Sequence, residues 1–212
     1  MNIKWSLVKN LGNSKIVVSN YFWIFIIPFV AKNIEQLNQY LGLSIEITFS
    51  LSKLFYASLC FSIATIIYQI RCPSIIKEQN NFQTLSQEGK GPQHVANYFK
   101  AGSEQFYSKL SKATMVKILE DFDNDDIDKE EKTLIEFNEK WYFVDNKCES
   151  KFFWQTYEIL DESFNVSVLI SLLFYILGIV FLTITAVFNA IFALSYFLPQ
   201  LTSLRWLTGI LV

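Results

Sequence analysis

Apolar residues are concentrated in three long stretches of the chain, which polar segments separate. No charged residue occurs in residues 16–31, 54–70 or 163–204. A bilayer core about 30 Å thick is crossed by roughly 20 residues of helix, because each residue rises by 1.5 Å. The first two stretches therefore predict one transmembrane helix each, over residues 16–31 and 47–70, with terminal lysines reaching the interface.

The third stretch is too long for a single crossing. A straight helix over residues 164–198 would measure about 52 Å, well beyond the bilayer core. We predict two helices, over residues 165–184 and 189–209, joined by a tight turn at residues 185–189. The alternative has three spans, with one oversized third helix that ends before the helix breaker Pro199 and an interfacial tail. The predicted fold is thus an all-α membrane protein with four transmembrane helices.

Polar residues return between the second and third spans, and apolar positions within this insert recur mainly at helical spacing. The pattern predicts a helix from Pro73 to Gly89, a short helix after Pro92, and a helical stretch after a break at Gly102. That stretch continues through four apolar positions (Met115, Ile118, Leu119, Phe122). Residues 141–147, WYFVDNK, are compatible with a helix or with a short hairpin strand, because β-favouring aromatics precede a turn-forming Asp-Asn pair.

The domain limits follow from these elements. Residues 1–72 hold an N-terminal segment and the first two spans, residues 73–162 form a mainly helical insert, and residues 163–212 hold the remaining spans. A helix from Lys151 to Asn165 is predicted to continue without interruption into the third span. Such a helix would connect the insert mechanically to the membrane.

Basic residues near the ends of the spans predict the orientation. Lys4, Lys9 and Lys15 precede the first span, and Arg71 and Lys77 follow the second. Loops rich in Lys and Arg face the cytoplasm. The N-terminus and the insert are therefore expected on the cytoplasmic side.

The first eleven residues predict an amphipathic helix that lies on the inner leaflet. Its lysines would reach the headgroups, and its apolar side chains would face lipid (Ile3, Trp5, Leu7, Val8, Leu11). A cleaved signal peptide is the alternative, because lysines precede an apolar run. The segment PFVAKN that follows lacks a small-x-small cleavage pattern, which counts against a signal peptide.

Composition and charge sharpen this picture. Hydrophobic residues make up 51% of the chain, and 20 of its 212 residues are Phe, which is more apolar than a soluble domain normally is. Residues 73–163 contain 18 acids and 11 lysines, a net charge of −7, whereas the remainder is net +5. An anionic inner leaflet repels such an acidic insert. Its most acidic part is therefore expected to lie away from the membrane.

Acids are densest in residues 119–131, LEDFDNDDIDKEE, where eight of 13 residues are carboxylates. A calcium loop of the EF-hand type needs Gly at its sixth position and an acid at its twelfth. Counted from Asp121, those positions hold Asp126 and Lys132, so no metal site is predicted. Two interpretations remain: a solvated helix end whose Asp residues cap a helix that begins near Asp128, and a docking surface for a basic partner. The docking candidates are Asp121, Asp123, Asp125, Asp126, Asp128 and Glu130.

The chain has no recognisable catalytic motif. Segment EGKGPQH lacks the Ser or Thr that follows Gly-Lys in a phosphate loop. His94, the single histidine, and the three cysteines do not have zinc-ligand spacing, and no disulfide is expected. No arginine occurs between Arg71 and Arg205, so direct binding of nucleic acid is not expected. We predict neither an enzyme nor a cofactor.

Small residues four positions apart occur within the spans and predict close packing between helices of several copies. The same spans also carry polar residues that would line a hydrophobically gated pore formed by several copies. The packing candidates are Ser58, Ser62, Ser167, Ser171, Ala186 and Ala190. The pore-lining candidates are Ser58, Ser62, Thr65, Gln69, Asn165 and Asn189.

Two segments carry a resemblance to a known family. The opening LGNSKIVVSNYFWIFIIPFVAK and the junction YQIRCPSIIKEQ, together with the layout of two spans, an insert and two spans, resemble the small membrane subunits of bacterial anti-phage defence systems. The KwaA membrane subunits of Kiwa systems are an example of this group. The resemblance implies a homo-oligomeric sensor in the bacterial inner membrane that docks a soluble, DNA-binding effector on its cytoplasmic face. It contains no diagnostic motif and transfers no residue roles.

The sequence therefore predicts a non-enzymatic, oligomeric membrane subunit that contacts lipid and a soluble cytoplasmic protein. Its insert would couple events in the membrane to that partner. A pore-forming effector or ion channel is the alternative.

Overall fold

The computed structural model describes residues 3–41, 49–105, 112–122, 132–163 and 165–197. These residues form mostly α-helices, with one antiparallel β-hairpin. In chain order the elements are α1 (Trp5–Gly12), α2 (Lys15–Asn20), α3 (Trp23–Leu41), α4 (Phe49–Arg71), α5 (Ser74–Glu78), α6 (Phe82–Gln87), α7 (Pro92–Gln105), α8 (Lys112–Phe122), β1 (Lys132–Phe137), β2 (Lys140–Asp145), a 3₁₀ turn (Asn146–Cys148), α9 (Glu149–Asp161) and α10 (Asn165–Phe197).

Three helical segments of the described chain are long and apolar enough to cross a membrane. They are Lys15–Ile34, Leu51–Arg71 and Val166–Leu194. The first two overlap the predicted spans at residues 16–31 and 47–70, and the third begins where the third span was expected. The predictions of a largely helical chain and of helices long and apolar enough to cross a membrane are confirmed.

The predicted turn at residues 185–189 is wrong, because these residues lie inside α10, which is a single helix of 33 residues. The polar side chains there do not break the helix: the Thr185 hydroxyl donates to the Phe181 carbonyl at 2.8 Å, one turn earlier. Neither Gly nor Pro occurs in residues 185–189. The helix is about 50 Å long. It is consistent with the three-span alternative, and the end of the predicted fourth span lies outside the described residues.

The first span is interrupted near its beginning. Helix α2 ends at Asn20 and α3 begins at Trp23, whereas Pro28 lies inside α3. The Ser58 hydroxyl of α4 donates to the Asn20 carbonyl at 2.8 Å. A helix end exposed to lipid would leave its carbonyl groups without partners. The hydrogen bond from Ser58 supplies one such partner.

The chain divides into two compact units. The insert unit comprises Met1–Lys9 and Ile70–Val168, and the span unit comprises Asn10–Gln69 and Leu169–Val212. The insert unit thus includes the first nine residues as well as the predicted insert. The chain passes from one unit to the other at residues 9–10, 69–70 and 168–169.

Helix α9 provides the centre of the insert unit. It packs against α5, α6 and α7, while the hairpin packs against α7 through β1 and against α8 through β2. Aromatic rings fill much of the interior: Phe153 of α9 contacts Phe82 of α6, and Phe152 contacts Phe122 of α8. Burying such large side chains is the main source of stability in a unit of this size.

The predicted helix from Pro73 to Gly89 is wrong, because two short helices, α5 and α6, replace it. Gln79 adopts an extended conformation after α5. Asn81 then caps α6, since its side-chain oxygen accepts the Thr84 backbone N–H at 2.8 Å. The predicted end at Gly89 is confirmed by its φ of 69°.

Helix α7 begins at Pro92, as predicted, but does not end at Gly102. It continues to Gln105. A single glycine costs a helix only about 1 kcal/mol, which the packing of α7 against α9 and β1 offsets. Helix α8 contains the four apolar positions that the pattern assigned to a helix.

The hairpin alternative for residues 141–147 is confirmed. Strand β2 pairs with β1 in antiparallel register, with Leu134 opposite Phe143 and Glu136 opposite Trp141. The predicted helix start near Asp128 lies outside the described residues, and from Lys132 onward the chain forms strand β1 rather than a helix. A one-residue shift would reverse the buried and exposed faces of both strands.

The two-residue hairpin loop uses positive φ angles, 52° at Asn138 and 66° at Glu139. Both signs match the type I′ turn, which prefers Asn-Gly. We expect Glu139→Gly to stabilise the insert unit by about 1 kcal/mol, because glycine adopts positive φ without a Cβ penalty. The measurement is the thermal midpoint of the detergent-solubilised protein. Glu120→Gly, on the exposed side of α8, is the control and should destabilise by about 1 kcal/mol. A loss of stability in both variants would contradict the explanation from the positive φ of Glu139.

The predicted continuous helix from Lys151 to Asn165 is wrong. Helix α9 ends at Asp161, and α10 begins at Asn165. The Ser163 hydroxyl donates to the Leu160 carbonyl at 2.6 Å, and the Ser163 N–H donates to the same carbonyl at 3.2 Å. These bonds close the end of α9. A single rigid helix therefore does not connect the insert with the third span.

The N-terminal helix forms where the sequence predicted it, but two of its expected lipid contacts are wrong. Trp5 and Val8 are completely buried within the protein, whereas Leu7 is exposed. The amphipathic pattern was correct, but it did not reveal whether lipid or protein covers the apolar face. Here α1 buries that face against the protein.

Candidate functional site

Most of the acidic docking candidates lie outside the described residues. Asp121 is described, and its side chain is exposed near the end of α8. The remaining candidates are Asp123, Asp125, Asp126, Asp128 and Glu130. Because these five lie outside the described residues, the role of the six carboxylates as a docking surface stays a prediction.

The small residues of the spans have different environments. Ser58 and Ser171 are completely buried, and the Ser171 hydroxyl of α10 donates to the Ala64 carbonyl of α4 at 3.0 Å. These two serines thus pack helices within one copy of the chain. Ser62 and Ser167 are partly exposed, while Ala186 and Ala190 are exposed. Packing between copies at these positions stays a prediction.

Three hydroxyl groups form a hydrogen-bonded chain inside the span unit. The Tyr21 hydroxyl, just after α2, bonds the Thr65 hydroxyl of α4, whose Oγ1 atom lies 2.9 Å from the Tyr175 hydroxyl of α10. Tyr175 is almost completely buried. A Cβ atom at Gly12 would lie only 2.6 Å from the Tyr175 hydroxyl oxygen, so a residue without a side chain occupies this position. The cluster joins helices that the sequence pattern treated as independent spans.

A carboxylate is buried in the insert unit, at the end of α9. Asp161 is only 4% exposed. Its Oδ1 atom accepts the Ser6 backbone N–H at 2.7 Å, and its Oδ2 atom accepts the Ser6 hydroxyl at 2.7 Å. Ser6 is the second residue of α1, where backbone donors lack partners within the helix and negative charge is favourable. Asp161 therefore caps a helix that lies 155 residues away in the sequence.

Further contacts attach the N-terminus to the insert unit. The Lys9 ammonium donates to the Ile76 carbonyl at 2.6 Å, and Lys4 forms an ion pair with Glu162 at 3.3 Å. Burial lowers the pKa of Lys9, while Cys72 and Asp161 act in the opposite direction. The charged lysine thus lies at the edge of a poorly solvated region.

Tyr157 completes the surroundings of the buried carboxylate. Burial, followed by the charges of Asp161 and Cys72, raises the pKa of Tyr157 to about 12. Its hydroxyl is consequently neutral at physiological pH, and both oxygens of the carboxylate are engaged by Ser6. This chemistry supports an anchor for the N-terminal helix rather than a reactive centre.

The sequence pattern contained a signal for this anchor that was missed. The buried positions of α9 recur at 152, 153, 156, 157, 160 and 161, as expected for one helix face. Thr156 and Asp161 are the two polar members of this otherwise apolar stripe. An acid at a core position needs a hydrogen-bonding partner, but periodicity within α9 does not identify Ser6 as that partner.

Thr156 and Thr133 of the insert unit differ in their hydrogen bonding. Replacing each of them with valine tests this packing. The Thr156 hydroxyl is buried without a hydrogen-bond partner among the described residues, whereas Thr133 Oγ1 lies 2.8 Å from oxygens of Asn146 and Glu149. We expect Thr156→Val to stabilise by up to about 1 kcal/mol, because it removes an unsatisfied hydroxyl. Thr133→Val should cost about 1 kcal/mol. Thermal midpoints check both values, and a loss at both positions would indicate an unrecognised bond at Thr156.

Lys90, from the glycine-containing segment EGKGPQH, is held by neighbouring acids. Its ammonium lies 2.7 Å from Glu88 and 3.6 Å from Glu78, and it donates to the Tyr98 hydroxyl at 3.2 Å. The hydrogen bond to Glu88 is the main cause that raises the pKa of Lys90. These contacts join the loop to α5 and α7 and use the lysine structurally.

The outward face of the hairpin carries large apolar side chains that are exposed. Leu134 is 45% exposed and Trp141 is 56% exposed, whereas Ile135 and Val144 on the other face are buried completely. Phe143, opposite Leu134, is partly exposed on the outward face. One-sided antiparallel sheets normally carry polar residues on the solvent face. The β-favouring aromatics allowed a strand here, but they did not indicate that Trp141 would lie on its outward face.

Comparisons of the chain with family models, curated proteins and solved structures give no match.

Proposed function

We propose that this chain is a non-enzymatic, homo-oligomeric subunit of a bacterial inner membrane that docks and regulates a soluble cytoplasmic effector. The insert unit would face the cytoplasm, and the span unit would respond to a disturbance of the membrane. Anti-phage defence is the setting implied by the sequence resemblance. The proposal needs a membrane-anchored unit with a surface available to a protein.

The exposed apolar face of the hairpin is the observation that carries this proposal. Large apolar groups gather at interaction sites when they form a patch on a soluble surface. Leu134 and Trp141 lie on a folded unit whose interior is already filled by other aromatic residues. Their exposure does not serve the core of one copy. Binding of a partner would remove this apolar surface from water.

Regulation would act through the buried anchor of α1 rather than through a continuous helix from α9 to α10. Ser6 and Lys9 of α1 bond Asp161 of α9 and the Ile76 carbonyl of α5 within the insert unit. Separating α1 from this unit would expose Trp5 and Val8 and leave Asp161 without its donors. The attached and the separated arrangement of α1 would be the two states that such regulation requires.

The decisive experiment is purification of the tagged full-length chain in mild detergent from the cells that naturally produce it. We expect a soluble protein to remain bound in fixed stoichiometry through size-exclusion chromatography with light scattering. An unrelated polytopic membrane protein with the same tag is the control. Recovery of self-oligomers alone, with no retained soluble protein, would exclude the proposed function.

Reporter fusions test the topology that the proposal assumes. Fusions after Gln39 and Asn124 should report opposite sides of the membrane, with Asn124 cytoplasmic. A fusion after Val212 distinguishes four spans, which return the end to the cytoplasm, from three spans, which do not. Equal reports from Gln39 and Asn124 would contradict the orientation.

A pore remains the second candidate function. The hydrogen-bonded hydroxyls of Tyr21, Thr65 and Tyr175 supply polar groups within the span unit, although these groups bond one another. Proteoliposomes containing the purified chain should show ion flux if several copies form a pore. Flux that disappears on replacing Ser62 with Leu would favour the pore over the docking subunit.

A further inference from the structure

The outward face of the hairpin forms a compact patch with mixed chemistry. Leu134 lies opposite Phe143, and Glu136 lies opposite Trp141. Directly opposite residues in an antiparallel pair have Cβ atoms about 5 Å apart, and diagonal neighbours are within reach of large side chains. The four side chains therefore lie side by side, with three apolar members and one carboxylate.

The backbone beneath this patch is firmly held. The Gln93 side chain of α7 accepts the Glu136 N–H at 2.8 Å and donates to the Glu136 carbonyl at 3.2 Å. It thus occupies the outer edge of β1 at the position where another strand would otherwise pair. The buried face of the hairpin is anchored by Ile135, Tyr142 and Val144. The patch is presented by a fixed scaffold, which reduces the entropic cost of binding.

Charge selects among the molecules that would cover this patch. The insert unit contains 18 acids and 14 bases, a net charge of −4, and residues 73–163 are net −7. Exposed acids surround the hairpin: Glu136 within the patch, Glu139 in the turn, and Glu120 and Asp121 on α8, which packs against β2. Exposed bases in the same region are Lys140 at the start of β2, Lys147 just after β2 and Lys117 on α8, so the excess of acid comes from the insert as a whole and from Glu136 within the patch.

The net negative charge of the insert unit disfavours three possible occupants of the patch. Anionic lipid headgroups and nucleic acids carry the same sign as the insert unit and would be repelled. A second copy would place two acidic units, and two Glu136 side chains, close together. A protein segment with apolar side chains flanked by Lys or Arg satisfies both the apolar and the acidic parts of the patch.

We infer that the outward face of the β1–β2 hairpin, formed by Leu134, Glu136, Trp141 and Phe143, is the docking surface for a basic segment of the soluble partner protein. The inference rests on the proposed function and assigns it a location. Trp141 supplies the central apolar anchor, since Trp is enriched among residues that dominate binding energy. Glu136 pairs with a basic side chain of the partner.

The test uses the full-length chain in nanodiscs and the protein retained in the purification experiment, isolated and labelled. Trp141→Ser and Leu134→Ser should each weaken binding at least tenfold, which corresponds to about 1.4 kcal/mol. Trp154→Ser is the matched control, because Trp154 is an exposed tryptophan of α9 in the same unit, and it should change affinity less than twofold. Thermal midpoints verify that the variants remain folded.

Glu136→Lys tests the sign of the partner's charge. It should weaken binding about tenfold and flatten the dependence of affinity on salt, because a favourable charge pair becomes repulsive. Stronger binding by Glu136→Lys would overturn the inference. Loss of self-association in Trp141→Ser, measured by light scattering, would also overturn it by identifying a second copy as the occupant.

Failure of the docking inference differs from failure of the proposed function. If the wild-type chain retains a partner and Trp141→Ser and Leu134→Ser bind it equally well, the hairpin is not the docking surface, but the function stands. If the wild-type chain retains no soluble protein, both proposals fall.

Discussion

Replacing Asp161 with alanine is expected to destabilise the insert unit by about 3 kcal/mol. The substitution removes both acceptors of Ser6, whose N–H and hydroxyl lie 2.7 Å from the carboxylate oxygens. Hydrogen bonds to charged groups contribute about 1.5–3 kcal/mol each, and donors left buried without partners add a desolvation cost. The first residues should therefore separate from the insert unit more often. Hydrogen exchange at residues 5–9 and the thermal midpoint of the purified protein measure the effect.

The adjacent acid provides the control for this prediction. Glu162 forms an ion pair with Lys4 at 3.3 Å, but both side chains are about 40% exposed. Such exposed pairs contribute about 0–1 kcal/mol, so Glu162→Ala should leave exchange at residues 5–9 nearly unchanged. Asp161→Asn should fall between the two, because the amide oxygen still accepts one bond. Equal effects of the Asp161→Ala and Glu162→Ala substitutions would show that the buried anchor does not hold α1.

Replacing Gly178 with leucine is expected to destabilise the span unit by about 3 kcal/mol. A Cβ atom at this position would lie 2.4–2.8 Å from three ring carbons of Phe61, closer than van der Waals contact permits. Phe61 is completely buried and contacts the Tyr175 ring, so the ring has little room to move. Overpacking of this kind typically costs 1–3 kcal/mol, and here it would force α10 away from α4.

The effect of Gly178→Leu is measured by unfolding the protein in mixed detergent micelles while circular dichroism monitors the loss of helix. Gly91→Leu is the matched control, since a Cβ atom there meets nothing within 4 Å, and its change should stay within about 0.5 kcal/mol. Adding Phe61→Ala to Gly178→Leu should recover part of the loss, because the smaller side chain vacates the occupied space. No recovery in the double variant would contradict the proposed contact.

Sequence patterns identified the elements more reliably than they identified their ends. The first two spans and α8 were predicted from the lengths and spacing of apolar runs, which are properties of neighbouring residues. The turn at residues 185–189 was inferred only from the length of the third apolar stretch. Because no local signal required a break, α10 continued. The opposite error occurred after α5, where Asn81 began a new helix within an apolar pattern typical of a single one.

The candidate sites were less predictable for a related reason. The acidic stretch is recognisable in the sequence because its charges are adjacent, yet most of it lies outside the described residues. The buried anchor combines Ser6 with Asp161, and neither residue is unusual among its own neighbours except that Asp161 continues an apolar stripe. The sequence allowed a hairpin strand as an alternative. The exposure of Trp141 could not be predicted without knowing which strand face packs against the core.

The sequence by itself determined that the chain has segments able to cross a membrane and an acidic insert. The length of an apolar run and the net charge of a segment depend only on which residues follow one another in the chain. Only the tertiary structure decided that Ser58 and Ser171 bond backbone carbonyls of neighbouring helices, that Asp161 caps α1, and that Leu134 and Trp141 of the hairpin face outward. These outcomes depend on which distant residues supply hydrogen-bonding partners and which surfaces exclude water. Such pairings become visible only when the helices and strands have packed.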